Sequence, residues 1–212
     1  MQNKQVKGFT LIELLIVIGI IAILATVVIL TLNPAELLRQ ARDTTRISDL
    51  DTLRSALSLY LADVAPIDLG VTTTCYTSIE DGTDITAMQA VGVVEDCANR
   101  FSGTTVIALI VDSGATARQV NGTGWIPVDL TDISSGAPIS ALPVDPVQPN
   151  TPGADQTVIT DDFFYAYGAD STDGTFEINT RLESAKFADN DANDGGDNDD
   201  LYEVGTNPGL DF

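Results

Sequence analysis

The sequence predicts an α+β chain in which a long N-terminal helix, membrane-spanning in its first half, packs against a small antiparallel sheet. Three observations predict it. From Leu14 to Leu32 there are 19 residues without a charge. From Leu50 to Val64, apolar residues recur at spacings of three and four. Further on, Phe163 to Tyr167 and Phe176 to Thr180 are aromatic and β-branched segments flanking a turn that contains Gly168 and Gly174.

Bulk composition narrows the chemistry. The 212 residues carry 10 Lys plus Arg against 31 Asp plus Glu, with no histidine and a formal charge of −21. Nucleic-acid binding through a basic surface is thereby excluded. So are histidine-based acid/base catalysis, Ser-His-Asp or Cys-His nucleophiles, and His-containing zinc sites. The charge is unevenly spread: residues 1–64 hold six basic and six acidic groups, while the remaining 148 hold four basic and 25 acidic ones. The second part is long enough for one domain with its own core.

The uncharged run measures roughly 28 Å as a helix at ~1.5 Å per residue, close to a hydrocarbon core of ~30 Å. Lys4 and Lys7 precede it and the acidic mass follows, so the positive-inside rule puts the N-terminus in the cytoplasm and the bulk of the chain outside. An ordinary signal peptide fits poorly, because the run is longer than a ~7–15-residue apolar region and ends in Asn33-Pro34 without a small-residue cleavage site. Glu13 stands inside the apolar stretch, where a charge is expensive and calls for a partner.

Lys7-Gly8-Phe9-Thr10-Leu11-Ile12-Glu13-Leu14-Leu15 resembles the class III signal of type IV prepilins and type II secretion pseudopilins. The resemblance implies cleavage after Gly8 by a membrane-embedded aspartyl peptidase and N-methylation of Phe9. It also implies that Glu13 neutralises the N-terminal amine at Phe9 of a neighbouring subunit, removing two charges from an apolar filament core. The partners implied are further copies in a helical homopolymer, minor pilins or pseudopilins, the prepilin peptidase and an inner-membrane assembly platform.

Asn33-Pro34 either opens a second helix, with Asn as N-cap, or kinks one long helix, and the resemblance favours a continuous or locally melted helix. Leu50, Leu53, Leu57, Tyr60, Leu61 and Val64 form a stripe that should lie under the head. Arg39, Arg42 and Arg46 fall close to one face. They are read either as a solvated face with local partners such as Asp43, or as contacts to acidic heads of neighbouring subunits.

Ala65-Pro66 ends the stalk. Cys75 and Cys97, an even count on the external side, argue for a disulfide, with two free buried thiols as the alternative. Strand signals follow at Thr104 to Val111 and Trp125 to Val128, and the clearest hairpin spans Phe163 to Thr180. The sheet resembles the one that packs on the stalk helix in pilins. Leu142-Pro143-Val144-Asp145-Pro146 is similar to a structural loop of the major type II pseudopilin, and Asn121-Gly122-Thr123 is read as a turn.

Residues 189–200 hold six Asp, three Asn and two Gly, which cannot make a buried core. Asp189, Asp191, Asn193, Asp194, Asp197 and Asp199 are candidate oxygen ligands for Ca²⁺, although the pattern is not an EF-hand. The major type II pseudopilin, which also holds calcium in a C-terminal loop, supplies the analogy. A solvated acidic loop is the alternative, followed by Leu201 to Val204 as an edge segment.

The expected organisation is a cleaved leader (1–8), a transmembrane and filament-core helix (9–33), an amphipathic stalk (34–65) and an extracytoplasmic head (66–212). The expected function is that of a structural filament subunit, not an enzyme. It would be stored in the cytoplasmic membrane, then polymerised through its N-terminal helix into a type IV pilus or type II secretion pseudopilus. A monomeric, signal-anchored, calcium-dependent binding module is the alternative.

Overall fold

A computed structural model of the chain describes residues 8–72, 74–81, 100–101, 107–112, 117–147 and 163–210. Internal packing divides it into two units, one ending at Arg39 and the other Gln40–Phe212.

In the first unit, helix α1 (Leu11–Leu32) starts at the N-cap Thr10. Its stretch Leu11–Ile29 is long and apolar enough to cross a membrane. Apolar side chains are exposed along the helix, among them Leu14, Ile16, Ile20, Ile23 and Val28. The two hydroxyls in the second half are satisfied within the helix: Thr26 Oγ1 donates to the Ala22 carbonyl at 2.9 Å and Thr31 Oγ1 to that of Val27 at 3.0 Å. Such internal pairing is what a polar group needs in a hydrocarbon environment. Asn33 then adopts a left-handed conformation (φ 39°, ψ 74°) and closes α1. Helix α2 (Pro34–Asp63) begins at the next residue. At Asn33-Pro34 the structure has two helices rather than a continuous one: Asn33 caps the end of α1, and its carbonyl accepts the Leu37 N–H of α2 at 3.3 Å. Proline at a first helical position lacks only an N–H that would have no helical partner.

In the second unit, α2 buries Asp43, Arg46, Leu50, Leu53, Ala56, Leu57 and Tyr60. The apolar stripe read from the sequence is therefore the C-terminal part of a longer one. The same three- and four-residue spacing carries it back through Arg46 to Asp43, where the buried groups are charged.

Five strands form one sheet: β1 (Thr74–Asp81), β2 (Ile107–Asp112), β3 (Ala166–Asp170), β4 (Thr175–Thr180) and β5 (Tyr202–Gly205), in spatial order β2-β1-β3-β4-β5. The four strands from β1 to β5 through β3 and β4 are antiparallel, as expected. Edge strand β2 overlaps the strand signal at Thr104 to Val111, and it departs from the expected antiparallel sheet by pairing parallel to β1. The hairpin is tighter than its sequence suggests. Its strands continue to Asp170 and resume at Thr175, with Tyr167 opposite Ile178 and Ala169 opposite Phe176.

Alternation divides the sheet faces. Tyr165, Tyr167, Phe176, Ile178 and Val204 join Leu50, Leu53, Leu57 and Tyr60 in one core cluster. The opposite positions, Glu177, Asn179 and Glu203, are buried as well. The segment Trp125 to Val128 is buried but not a strand: Trp125 is fully enclosed, and its indole donates to the Pro143 carbonyl at 2.9 Å. Gly124 before it lies so close to the Gln119 carbonyl that a Cβ would come within 2.1 Å. Hydrogen bonds tie α2 down along its length. The Tyr165 hydroxyl donates to Asp49 at 2.8 Å, and Ser134 N–H donates to Asp63 at 2.6 Å.

Candidate functional site

The N-terminal segment is exposed. Phe9 is 87% accessible and nothing approaches the Cα of Gly8. An unbranched, open Gly-Phe step is what a peptidase must reach. Glu13 has a partner within its own chain. Its Oε2 accepts the Thr10 N–H at 2.9 Å and the Thr10 hydroxyl at 2.7 Å, while Glu13 N–H donates to Thr10 Oγ1 at 3.2 Å. This is a capping box, which satisfies two of the first orphan donors of α1. The signal was present in the sequence as Thr-x-x-Glu at a helix start, and it fixes the carboxylate at the helix mouth with Oε1 available to a further donor.

The second constellation joins α2 to the segments that flank the sheet. Arg46 is completely buried and donates through Nε and Nη2 to both oxygens of Asp145, at 2.7 and 2.9 Å. Nη1 serves Asp43 at 2.8 Å and Glu183 at 2.7 Å. Arg42 adds a two-pronged contact to Glu183, with Nη2 at 2.7 Å from Oε2. Asp43 in turn accepts the main-chain N–H groups of Glu183 and Ser184, and the Phe163 ring covers the Arg46 guanidinium at 4.5 Å.

The local partner read for these arginines is present, since Arg46 pairs with Asp43 at 2.8 Å, but the face is not a solvated one: Arg46 is buried and Arg42 partly so. Carboxylates of the same chain hold both, in place of the acidic heads of neighbouring subunits. Arg39 alone fits the solvated reading, pairing with Glu36 at 3.9 Å on the surface. The loop Leu142 to Pro146 is structural, as read, and its structural element is the Asp145 carboxylate.

The acidic tract folds back on itself. Asp194 accepts the N–H groups of Gly196 and Glu203. Asn193 donates to the Asp189 carbonyl at 2.6 Å, and Asn198 Oδ1 accepts the Asp200 N–H. Gly196 touches Glu203 so closely that a Cβ would fall 1.9 Å from the carboxylate. Asp189, Asp197 and Asp199 are exposed. Among the described residues, no three or more Asp, Glu or Cys side chains converge to hold a metal ion. Asp191 differs from the rest: its Oδ1 is buried without a hydrogen-bond partner. Burial, then the Asp194, Asp43 and Asp200 charges, push its carboxyl up to about 7 against the opposing pull of Arg181.

Beside the tract lies a pair that sequence reading missed. Glu177 and Glu203 are buried on adjacent strands and hydrogen-bonded side chain to side chain. Glu177 also accepts the Asn179 amide at 2.8 Å and the N–H groups of Gly209 and Leu210 at 2.9 and 2.7 Å. Burial raises both carboxyls, Glu177 to about 8. No pattern in one sequence marks such a pair, since each residue sits alone in a strand. Cys75 is buried on β1, and Cys97 lies outside the described residues.

A family model for the prokaryotic N-terminal methylation motif matches residues 3–29, which is consistent with a type IV pilin or pseudopilin. No curated protein and no solved structure matches the chain.

Two outcomes are expected. Asp145→Asn leaves Arg46 buried with its bidentate partner weakened, and should lower the unfolding free energy of the head by about 3–5 kcal/mol. Denaturant titration of the full chain in detergent, followed by the fluorescence of Trp125, the single tryptophan, checks this. A loss under about 1 kcal/mol would show the network to be dispensable. The second outcome concerns pH. A carboxyl whose pKa is raised on folding holds its proton in the folded state, so its stabilisation is complete below the ordinary value of 4.5 and is lost as pH rises through about 8. The melting temperature should fall between about pH 5 and about pH 8, and Glu177→Gln, which imitates the protonated form, should flatten that slope. An equal slope in the variant would assign the pH dependence elsewhere.

Proposed function

We propose that the chain is the structural subunit of a type IV pilus-like or type II secretion pseudopilus filament, cleaved after Gly8 and methylated at Phe9. The observation that carries this reading is the methylation motif at residues 3–29 running without a linker into a helix whose apolar side chains are exposed. Such a helix needs a hydrocarbon environment, first a bilayer and then the packed helices of other copies. In this reading Glu13, held by Thr10 at the helix mouth, receives the new N-terminal amine of a neighbour. The prepilin peptidase and an inner-membrane assembly platform are the implied partners, and minor pilins or pseudopilins the implied companions in the filament.

The resemblance of Leu142 to Pro146 to the major type II pseudopilin does not separate the two roles. Its Asp145 is explained by the Arg46 clamp, which either kind of subunit can use. A disulfide between Cys75 and Cys97 completes the reading, supported by the burial of Cys75 and by the lack of a free cysteine among the described residues.

Calcium is a second reading, favoured by one observation. The buried, unpartnered Oδ1 of Asp191 stands near Asp194 and Asp200, where a hard cation would relieve the charge. Asp189, Asn193, Asp197 and Asp199 are the further oxygen ligands the tract can supply.

The intact mass of the purified protein should correspond to loss of residues 1–8, gain of one methyl group and loss of two hydrogens for the bridge. A mature chain beginning at Met1 or Gln2 would instead support a signal-anchored monomer. Glu13→Val should leave that mass pattern intact while abolishing filaments seen by electron microscopy of cells, and normal filaments would remove Glu13 from assembly. For calcium, addition of a chelator should lower the melting temperature of the full chain in detergent by several degrees. An unchanged melt would leave the tract as a solvated loop.

A further inference from the structure

We propose that the head binds an uncharged sugar in a cavity of about 250 Å³ lined by Arg54, Asn190, Asn193, Asp194, Tyr202 and Glu203. The inference goes beyond filament assembly and does not depend on it, because the cavity lies entirely within the second unit.

Size gives the first argument. The cavity is below the ~300–1,000 Å³ of drug-sized sites, and it suits a single sugar ring. Charge gives the second. The lining residues carry both signs, Asp194 and Glu203 against Arg54, so an ion of either charge meets a residue of its own sign. A ligand without charge, carrying hydroxyls that both donate and accept, can use all of these groups at once. Neighbouring ring hydroxyls match the planar two-atom ends of amide, carboxylate and guanidinium side chains.

Preorganisation gives the third argument. Asp194 is fixed by the Gly196 and Glu203 N–H groups, Glu203 by the Asn198 N–H at 3.0 Å, and Asn193 by the Asp189 carbonyl. The Asp194 oxygens so held each keep a second lone pair for a ligand. Little side-chain entropy then remains to be lost on binding. The half-buried Tyr202 supplies an aromatic wall for the C–H face of the ring. Burial and the nearby Asp51 and Asp194 keep its phenol protonated and able to donate.

The test uses the full chain in micelles of a polyoxyethylene detergent, which carries no sugar, with chelator present. Saturation-transfer NMR is run against the methyl glycosides of glucose, galactose, mannose, N-acetylglucosamine and N-acetylgalactosamine. At least one should bind with a Kd on the order of 1–10 mM, as a small polar ligand does. Arg54→Met and Asn190→Ala should each weaken it by at least about fivefold, with Trp125 fluorescence showing that the head stays folded, while Lys186→Ala should leave it unchanged. Absence of transfer to all five glycosides at concentrations of roughly 50 mM would overturn the proposal. So would variants that bind like the parent, or binding that appears only when calcium replaces the chelator.

Discussion

Arg46 is the residue around which the second unit closes. A guanidinium with no exposure requires carboxylates from wherever the chain can supply them. Here they come from three places: Asp43 one turn earlier on α2, Asp145 in the Leu142–Pro146 loop, and Glu183 just after β4. Each must arrive in register for the charge to be neutralised, so the loop and the end of the sheet are fixed against the helix together. The apolar contacts of Leu50, Leu53 and Leu57 contribute more of the burial free energy, but leucines tolerate sliding by a turn. A forked donor facing a forked acceptor does not. In a chain with only ten basic residues, placing two of them in this one network makes register the property they serve.

The carboxylates follow a second constraint. With 31 acidic groups and little positive charge to meet them, the chain pairs many of its acids with main-chain N–H donors instead. Asp43, Asp63, Asp129, Asp145, Asp170, Asp194 and Glu177 all accept such bonds. Loops that would otherwise lack a hydrogen-bonding partner are thereby given one, and an acidic composition becomes a means of ordering irregular backbone. Where burial outweighs such bonds, at Glu177 and Glu203, the carboxyls are pushed above their ordinary range.

Legibility in the sequence followed the range of the interaction. The membrane-length helix, the stripe on α2 and the β3–β4 hairpin are local patterns, and each was readable because its period or turn is written in consecutive residues. β1 escaped because Thr74, Cys75, Tyr76, Thr77 and Ser78 are all buried, so the alternation that marks a half-exposed strand is absent. Trp125 to Val128 looked like a strand because burial favours the same residues whether or not a ladder forms. Arg46 was read with its near neighbour Asp43 only, because its other partners lie 99 and 137 positions away, and a helical wheel contains no information about them. Glu13's need for a partner was legible, whereas its partner in this chain, Thr10, was passed over although its cap signal was local. The oxygen-rich tract was legible as composition, but its geometry depends on Gly196 admitting Glu203.

The junction at Asn33 and Pro34 has a mechanical side. Proline has no N–H, so no hydrogen bond runs from it back to the fourth residue before it, and Asn33 has already left the helical region. A bending or twisting load along the chain therefore meets only backbone torsion at this point, whereas elsewhere in α1 or α2 it would have to stretch the bonds between successive turns. Deformation collects at the most compliant link of a series. The two-residue break is thus the one place between Leu11 and Asp63 where the series of bonds between successive turns is interrupted.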